Sequence, residues 1–586
     1  MTQPAVIVLA AGEGVRMRSA TPKVLHKVAG LTLLGHAFAA ARGADPALIA
    51  VVVRHERDLV AAHAHELDPD ALIVDQDDVP GTGRAVQCAL AALDRRAAPP
   101  VHPDAPCGPV PHPAAPGHPA PAATQGLAQV MVIPGDAPRI TAEVLAALAE
   151  AHAAQGNAIT VLTAALADPC GYGRVIRDPD GQVARIVEDR DATSAERLVN
   201  EVNSSVYVFD AATLRQGLAG VGRDNAQGQI YLTDVIEAAR RAGTRVGALT
   251  AADPSVIEGV NDRAQLARAA RAINQRIVHE AMLCGVTVID PDTTWIDRGV
   301  ELASDVTLMP GTHLQGRTAV AAGARIGPFA TLVDTTVGPG AVVDRTVATG
   351  AEIGPGAQVG PFTHLRPGTR LGVETKAGSF TELKAADVAD RAKVPHLSYV
   401  GDAVIGEATN VGAGTIFANY DGVAKSRSEI GPAARIGSNS TIVAPVTLGA
   451  GAYTGAGAVV RGHVPPGALA LSAGPQRVIE GWTSRKRAGS ASAEAARHAS
   501  AASPPPDAVL PVPAPGSPVP TGSPGAGPAA VASAEALSQS GRPGSAVGPA
   551  GPDVGGAVRG ARGLGGRTES CDGDHAPGGA RSANGN

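Results

Sequence analysis

From about Leu302 to Val460 an aliphatic residue returns at every sixth position. Leu302, Leu308, Leu314, Val320, Ile326 and Leu332 form one series. Val347, Ile353, Val359, Leu365 and Leu371 form a second, and Ile430, Ile436, Ile442 and Leu448 a third. Gly, Ala, Asn, Asp and Pro fill the gaps, as in Ile353-Gly-Pro-Gly-Ala-Gln-Val359. A helix repeats at about 3.6 residues and an alternating strand at 2, so six fits neither. Six is the period of a hexapeptide β-helix, where each flat face is a short strand and each corner a Gly- or Asn-rich turn. One inward aliphatic per face stacks on the next coil. A lone coil cannot bury its core, so many must stack. Gly/Ala low complexity, the competing reading, would not hold phase over successive hexads.

Before about Arg271 the pattern is different. Short apolar runs (Val6 to Leu9, Leu48 to Val53, Ala71 to Val74, Val130 to Ile133) alternate with helical stretches such as Leu33 to Arg42 and Thr141 to His152. That alternation predicts an α/β domain with a mostly parallel sheet covered on both faces, binding ligands at the carboxyl ends of its strands. Residues 97–125 interrupt it with Ala, Pro, His and Gly, which reads as an inserted disordered loop. The histidines there (His102, His112, His118) lack regular metal-ligand spacing. Gln265 to Met282 has helical spacing and predicts a linker helix. After Trp482 the composition collapses into Ala, Gly, Pro and Ser, which predicts a disordered tail. The expected domains are 1–263, a linker 264–284, a β-helix 285–482 and a tail 483–586. Insertion and tail are expected to be dispensable for activity.

Composition narrows the classes. A net charge of −6 with 18% charged residues argues against a nucleic-acid binder. No apolar stretch reaches membrane-spanning length. Residues Ala5 to Ala11 have no basic leader or cleavage site and fit a buried first strand better than a signal peptide. Cys88, Cys107, Cys170, Cys284 and Cys571 are scattered without a CxxC pair. They read as free thiols in a reducing compartment, so a cytoplasmic protein is expected. Lysine is rare, seven against 42 arginines, which directs attention to Lys23, Lys384 and Lys425.

The opening strand runs into Leu9-Ala-Ala-Gly-Glu-Gly-Val-Arg16-Met and then Pro22-Lys23. A Gly-rich turn after a buried strand lets backbone N–H groups approach phosphates, and Arg16 and Lys23 add positive charge there. The spacing is neither the dinucleotide fingerprint nor the P-loop. The whole string resembles the sugar-nucleotide pyrophosphorylases. Gln76 with Gly81-Thr82-Gly83 resembles that family's uracil-contacting loop. Tyr172-Gly173-Arg174, Ile186-Val187-Glu188 and Glu201-Val-Asn203 resemble its sugar-binding elements. Pro134-Gly135-Asp136 ends a strand with a carboxylate suited to Mg²⁺, and Glu258-Gly-Val-Asn261 resembles the segment that supplies a second metal ligand. The resemblance implies nucleotide and sugar contacts at Leu9, Ala10, Ala11, Gly12, Lys23, Gln76, Gly81, Thr82, Gly173, Glu188, Asn203 and Asn261, with Asp136 and Asn261 as metal ligands. A sugar 1-phosphate is already nucleophilic, so the expected work is screening and positioning two anions rather than base catalysis.

Where the hexad lapses, polar residues concentrate: Arg366-Pro-Gly, Phe380-Thr-Glu-Leu-Lys384, His396-Leu-Ser-Tyr399-Val-Gly-Asp402, Asn410-Val-Gly-Ala413 and Asn419-Tyr420-Asp421 with Lys425. The phase breaks from Phe417 to Ser428, which predicts a loop projecting from a corner. With these motifs the chain, from about residue 5 to 482, resembles the bifunctional family of N-acetylglucosamine-1-phosphate uridylyltransferase / glucosamine-1-phosphate N-acetyltransferases. That resemblance implies a Rossmann-like nucleotidyltransferase domain and a left-handed parallel β-helix, assembled as a homotrimer. It implies acetyl-CoA, glucosamine 1-phosphate, N-acetylglucosamine 1-phosphate and UTP as substrates, and Mg²⁺ as cofactor. His396 is implied as general base. Arg366, Lys384, Tyr399 and Asn410 are implied at the sugar phosphate, and Ala413, Asn419, Tyr420, Ser438, Ala456 and Ala473 at acetyl-CoA. Many members carry an arginine where this chain has Ala473, so Arg477 or the Arg485-Lys486-Arg487 cluster is expected to replace it. The competing expectation is a nucleotidyltransferase whose β-helix only assembles it, and His396, Lys384, Asn410 and Tyr420 tell against that. A non-catalytic scaffold would require loss of Lys23, Asp136 or Asn261, and all three are present.

Overall fold

The computed structural model describes residues 3–97, 127–472, 474, 476 and 478–502. The interruption at 97–125 lies outside these, apart from residue 97, the last of the Thr82–Ala97 helix. So do Ala473, Arg477 and the tail beyond 502.

The N-terminal sheet runs, edge to edge, Val246–Thr250, Ile159–Ala165, Glu201–Asp210, Gln129–Pro134, Ala5–Leu9, Leu48–Val53 and Leu72–Asp75. Neighbours are parallel except Glu201–Asp210, which is antiparallel to both of its partners on this path. The expected apolar runs are all present as strands. They are continuous rather than alternating because both faces are buried. Val6, Val8, Val51 and Met131 pack into one core, and Ala5, Ile7, Val52 and Val132 into the other. Strand order reverses at Ala5–Leu9. The chain first builds outward through Leu48–Val53 and Leu72–Asp75, then returns to lay Gln129–Pro134 on the opposite side. Such a reversal opens a crevice at the carboxyl ends of the two central strands.

The linker helix spans Arg263–Leu283, capped by Asp262, whose carboxylate accepts the Gln265 N–H at 2.7 Å. Its buried Asn274 ties it to the first coil. The side-chain amide donates to the Thr294 carbonyl at 2.7 Å and accepts the Ile296 N–H at 2.9 Å.

From Thr287–Val288 to Leu469–Ala470 short parallel strands wind into a three-faced β-helix, one face an 11-stranded sheet and the other two joined in an 18-stranded one. The inward column runs Leu308, Ile326, Val343, Val359 and Ala377 in register. One expected position is corrected. Val347 is 48% exposed, and Ala348 stacks on Leu332 instead. The coils are short here: Leu332 to Val337, Val343 to Ala348 and Ala348 to Ile353 each advance five residues rather than six, so the phase slips, and at the first of these corners Asp334 takes φ +47° and accepts the Arg317 N–H at 2.9 Å. The second break is also real. Val388 sits beside Ile405, but Ile405 sits beside Ile430, because residues 419–427 leave the coil as a loop. Phe417 and Ser428, assigned to that loop from sequence, are fully buried strand residues that bracket it.

Two further corrections arise. The tail does not lose order at 483: Trp482–Lys486 and Ala491–Ala502 are helices. Alanine has the highest helix propensity, and Ser490 caps the second helix through the Ala493 N–H at 3.2 Å. Cys88 and Cys284 are free, but Cys170 is disulfide-bonded, contrary to the expectation of free thiols. Cysteine pairing requires proximity in space, which spacing along the chain does not disclose.

Candidate active sites

The first site sits in the crevice at the strand reversal. After Leu9 the chain turns through Gly12 and Gly14. Gly14 has φ +65°, and a Cβ there would lie 2.6 Å from the Lys23 Cβ, so glycine lets the Lys23 segment pass underneath. Lys23, its side chain 11% exposed, is ion-paired with Asp136 and donates to the Asn261 Oδ1 at 3.1 Å. Asp136 follows the Gln129–Pro134 strand. Asn261 directly precedes the linker helix, and its N–H is held by the Gln265 Oε1 at 2.6 Å. Three segments far apart in sequence thus converge on one ammonium. Asp136 and Asn261 present two hard oxygens to one cationic centre. That donor set fits Mg²⁺, which takes one or two protein oxygens and completes its shell with water and phosphate. Among the described residues no three His, Cys, Asp or Glu side chains cluster, so no thiolate or imidazole cage competes there.

Three adjoining cavities extend from this point. One of about 360 Å³ is lined by Arg16, Asp136, Gly173, Glu188, Asn203 and Asn261 among others, and Tyr172 and Cys170 also reach it. A second, of about 330 Å³, is lined by Leu9, Ala11, Gly12, Gln76, Gly81 and Thr82 among others. A third, of about 170 Å³, shares Glu188 and Asn203 with the first and Leu9 and Thr82 with the second. The expected sugar and nucleotide residues are therefore gathered in one continuous cleft. Gly81 sits at φ +122° against the Ile230 backbone, where any Cβ would collide. Burial pushes the Glu188 carboxyl up, against a hydrogen bond donated by the Thr233 hydroxyl at 3.1 Å, and nearby Asp234 adds to the rise.

Ala10 departs from expectation. It is 3% exposed, packs in the core, and its N–H is spent on the Val52 carbonyl at 2.9 Å, so neither its side chain nor its amide is offered to the cleft. Tyr231 and Gln229 line the cleft without having been foreseen. Burial pushes the Tyr231 hydroxyl up to about 12.

The second set of residues lies on the upper coils. Lys384 donates to both Asp402 oxygens at 3.0 and 3.1 Å, and the Asn419 amide also donates to Asp402. Burial pushes the Asp402 carboxyl up, but the hydrogen bonds from Lys384 and Asn419 outweigh it and hold the group below its ordinary value. Gly401 makes room for this knot. A Cβ there would lie 2.5 Å from the Tyr399 hydroxyl and 2.7 Å from the Asn419 amide nitrogen. Arg366 is one coil below, paired with Glu382 at 3.1 Å. His396 ends the Lys393–His396 strand on one face and Tyr399 opens Tyr399–Gly401 on the next, so the exposed His396 stands at a corner.

That corner continues upward in small residues. Ala413, Ser438 and Ala456 each follow a corner glycine (Gly412, Gly437, Gly455). The backbone bonds from Asn439 N–H to Ala413 and from Gly457 N–H to Ser438, 2.7 and 2.8 Å, stack them coil on coil. Tyr420 is 58% exposed on the projecting loop, which Asp421 stiffens by accepting the Val423 and Ala424 N–H groups. Asn410 is the residue the fold does not bring to Lys384. It lies on the face before the corner, in a cavity of about 510 Å³ with Lys393 and Arg435. Asp402, which organises Lys384 and Asn419, was not among the expected site residues. Its only signal was membership of the His396 to Asp402 motif.

A parallel-sheet cleft with a lysine–carboxylate–amide centre, joined to a hexapeptide β-helix carrying a polar corner, defines a nucleotidyltransferase fused to a hexapeptide-repeat transferase. Comparison with known families agrees. Residues 6–201 match the MobA-like NTP transferase domain, 120–299 the nucleotidyl transferase family, and 427–462 the six-repeat bacterial transferase hexapeptide. The bifunctional protein GlmU of Kineococcus radiotolerans is 54% identical over 85% of this chain and 96% of its own length. Those of Micrococcus luteus and Streptomyces coelicolor are 52% and 48% identical, over 86% and 84% of this chain and 99% and 96% of theirs. The chain belongs to the GlmU family. It is a bifunctional enzyme, with a nucleotidyltransferase domain for uridylyl transfer and a left-handed β-helix of hexapeptide repeats for acetyl transfer. Among the described residues no helix is long and apolar enough to cross a membrane.

Proposed function

We propose that the β-helix transfers acetyl from acetyl-CoA to glucosamine 1-phosphate, and that the N-terminal domain then joins the resulting N-acetylglucosamine 1-phosphate to UTP, releasing pyrophosphate. The product, UDP-N-acetylglucosamine, serves as precursor of peptidoglycan and other envelope polysaccharides in the cytoplasm. The active unit is a homotrimer. The observation that carries this reading is the presence in one chain of two separate polar centres, Lys23–Asp136–Asn261 in the cleft and Lys384–Asp402–Asn419 on the β-helix, one corner on from His396.

In uridylyl transfer the sugar phosphate oxygen attacks the α-phosphorus of UTP, and the bond from that phosphorus to the bridging oxygen breaks. The second cavity takes the uridine, and the first takes the sugar against Gly173, Glu188 and Asn203. Arg16 and Lys23 screen the two anions and the charge that spreads over the transferring phosphoryl oxygens. Asp136 and Asn261 would hold Mg²⁺, which when bound neutralises phosphate charge. Lys23 keeps both side chains aimed at one point, so little reorganisation is left for the reaction.

In acetyl transfer His396 takes a proton from the sugar amine as the nitrogen attacks the thioester carbonyl. The C–S bond breaks, and the leaving thiolate recovers a proton. Base catalysis of this kind contributes about 10²–10⁴-fold. Arg366, Lys384 and Tyr399 hold the sugar phosphate, and the stacked Ala413, Ser438 and Ala456 leave a shallow groove for the pantetheine arm. Asn410 serves the site of a neighbouring chain, which accounts for its place on the other face. Ala473 and Arg477, the positions concerned in the missing CoA-phosphate contact, lie outside the described residues. The deciding assay follows free thiol from acetyl-CoA and glucosamine 1-phosphate beside pyrophosphate from UTP and N-acetylglucosamine 1-phosphate. His396→Ala is expected to abolish thiol release and leave pyrophosphate release intact. A folded wild type that releases pyrophosphate but no thiol would reduce the β-helix to an assembly module.

A further inference from the structure

The loop from Gln76 to Gly81 forms one wall of the second cavity, and it is held at both ends. The Gln76 N–H bonds the Val53 carbonyl at 3.0 Å, and the Ile230 N–H bonds the Pro80 carbonyl at 3.1 Å. Between these anchors its shape depends on one side-chain pair. Arg84 lies in the first turn of the Thr82–Ala97 helix and turns its guanidinium back onto Asp77. The Nε donates to the two carboxylate oxygens at 3.1 and 3.0 Å, and the Nη2 donates to the second of them as well. The fork is braced from behind. Arg84 Nη1 donates to the Gln87 Oε1 at 3.0 Å, and Gln87 donates to the Leu218 carbonyl at 2.9 Å. Asp77 also accepts the Val79 N–H at 3.2 Å. Arg84 therefore fixes Asp77, and Asp77 fixes Val79.

Val79 matters because its carbonyl orients Gln76. The Gln76 side-chain amide donates to the Val79 carbonyl at 3.0 Å and to the Gly81 carbonyl at 3.3 Å. Both amide protons are spent inside the loop, so what Gln76 can offer a ligand is its Oε1, an acceptor only. A pyrimidine with N3–H, such as uracil, can donate to it. The N3 of cytosine is an acceptor and sets a lone pair against that oxygen, and its neighbouring donor, the N4 amino group, is displaced from the N3 position. Release of Val79 frees the amide to rotate and present N–H₂ instead, which cytosine accepts.

We infer that Arg84 is a positioning residue for base selection: through Asp77 and Val79 it locks the Gln76 amide in the orientation that accepts the N3–H of uracil and rejects cytosine. Neither Arg84 nor Asp77 lines the cavity, so neither touches the nucleotide. The bidentate fork gives directional hold that a point charge lacks.

This inference rests on the uridylyltransferase reading of the cleft. The test measures kcat and KM for UTP and for CTP, with N-acetylglucosamine 1-phosphate saturating, in wild type, Arg84→Ala, Arg84→Lys, Asp77→Ala and the Arg84→Ala/Asp77→Ala pair. Arg84→Ala is expected to raise the UTP KM several-fold and to cut the UTP-over-CTP ratio of kcat/KM about tenfold, with kcat for UTP nearly unchanged. Arg84→Lys falls between. Asp77→Ala matches Arg84→Ala, and the pair is no worse than either alone, because both remove one clasp. A thermal melt of each variant separates lost stability from lost selection, since general destabilisation does not change the ratio of two nucleotides. An unchanged ratio in Arg84→Ala, or fully additive losses in the pair, overturns the inference. A wild type that turns over neither nucleotide overturns the uridylyltransferase reading instead.

Discussion

Gly401 carries no chemistry, yet the proposed acetyl-transfer centre depends on it. Its missing side chain is the space into which the Tyr399 hydroxyl and the Asn419 amide converge. Gly401→Ala forces one of them aside, at a cost of about 1–3 kcal/mol for overpacking. Acetyl transfer is expected to fall about tenfold or more while pyrophosphate release is untouched, a split that paired assays on one preparation would detect. Glu188 makes the opposite kind of prediction. Burial raises its folded-state pKa, so between the unfolded and folded values the folded chain holds the extra proton. Stability then falls as pH rises through that interval, and the ionised carboxylate is a burden at neutral pH. Glu188→Gln should melt at higher temperature than wild type near neutrality, and the gain should vanish below the ordinary carboxylate value of 4.5. The same substitution should raise the KM for the sugar phosphate roughly tenfold through the weaker acceptor. At this scale the sequence pointed to residues in unusual strings, and Lys23 indeed meets Asp136 and Asn261. Asp402 was hidden because an aspartate at a β-helix corner is common, and only the fold turns Lys384 and Asn419 toward it. Ala10 misled for the converse reason: it stands inside the right string, but its amide belongs to the sheet.

Among the elements, the joint between linker helix and β-helix turns on Asn274. It sits at a core position of the helix, 4% exposed, and satisfies the Thr294 carbonyl and the Ile296 N–H together. Asn274→Leu would bury both groups without partners, at about 1–3 kcal/mol for each. A lower calorimetric melting temperature is expected, with both specific activities retained below the transition. Equal melting temperatures would mean that the first coil relaxes to reach other partners. The elements were largely legible because their periods differ: continuous apolar runs for strands buried on both faces, helical spacing for Arg263–Leu283, and six for the coils. What escaped was phase. The corner between Ala348 and Ile353 is one residue short of the hexad, which puts Ala348 and not Val347 inward, and both are apolar, so the pattern alone does not choose between them. The helix Ala491–Ala502 escaped because a composition that cannot build a core can still form a capped alanine helix.

The whole molecule poses a question that neither domain answers alone. The order of domains could be read from the chain because a doubly covered sheet and a β-helix leave different periodicities, and the cleft could be placed because strand order fixes where such sheets bind. How the second site is completed could not be read. The motif places Asn410 beside His396 and Lys384 in sequence, whereas the fold puts it on the face before the corner, away from Lys384. In the proposed trimer Asn410 serves a neighbouring chain, and the competing arrangement has it reach round its own corner. Mixed trimers distinguish these. His396→Ala and Asn410→Ala chains, each inactive in acetyl transfer alone, would be unfolded together, refolded as a mixture and assayed. If the site is shared, trimers holding both kinds of chain contain junctions where an intact His396 meets an intact Asn410, and thiol release reappears. If one chain supplies both residues, every site remains defective and the mixture stays as inactive as its parents. Pyrophosphate release reports refolding in either case, because both variants leave the cleft intact. Recovery is expected, since a site divided between chains ties acetyl transfer to assembly while uridylyl transfer, complete within one cleft, needs no partner.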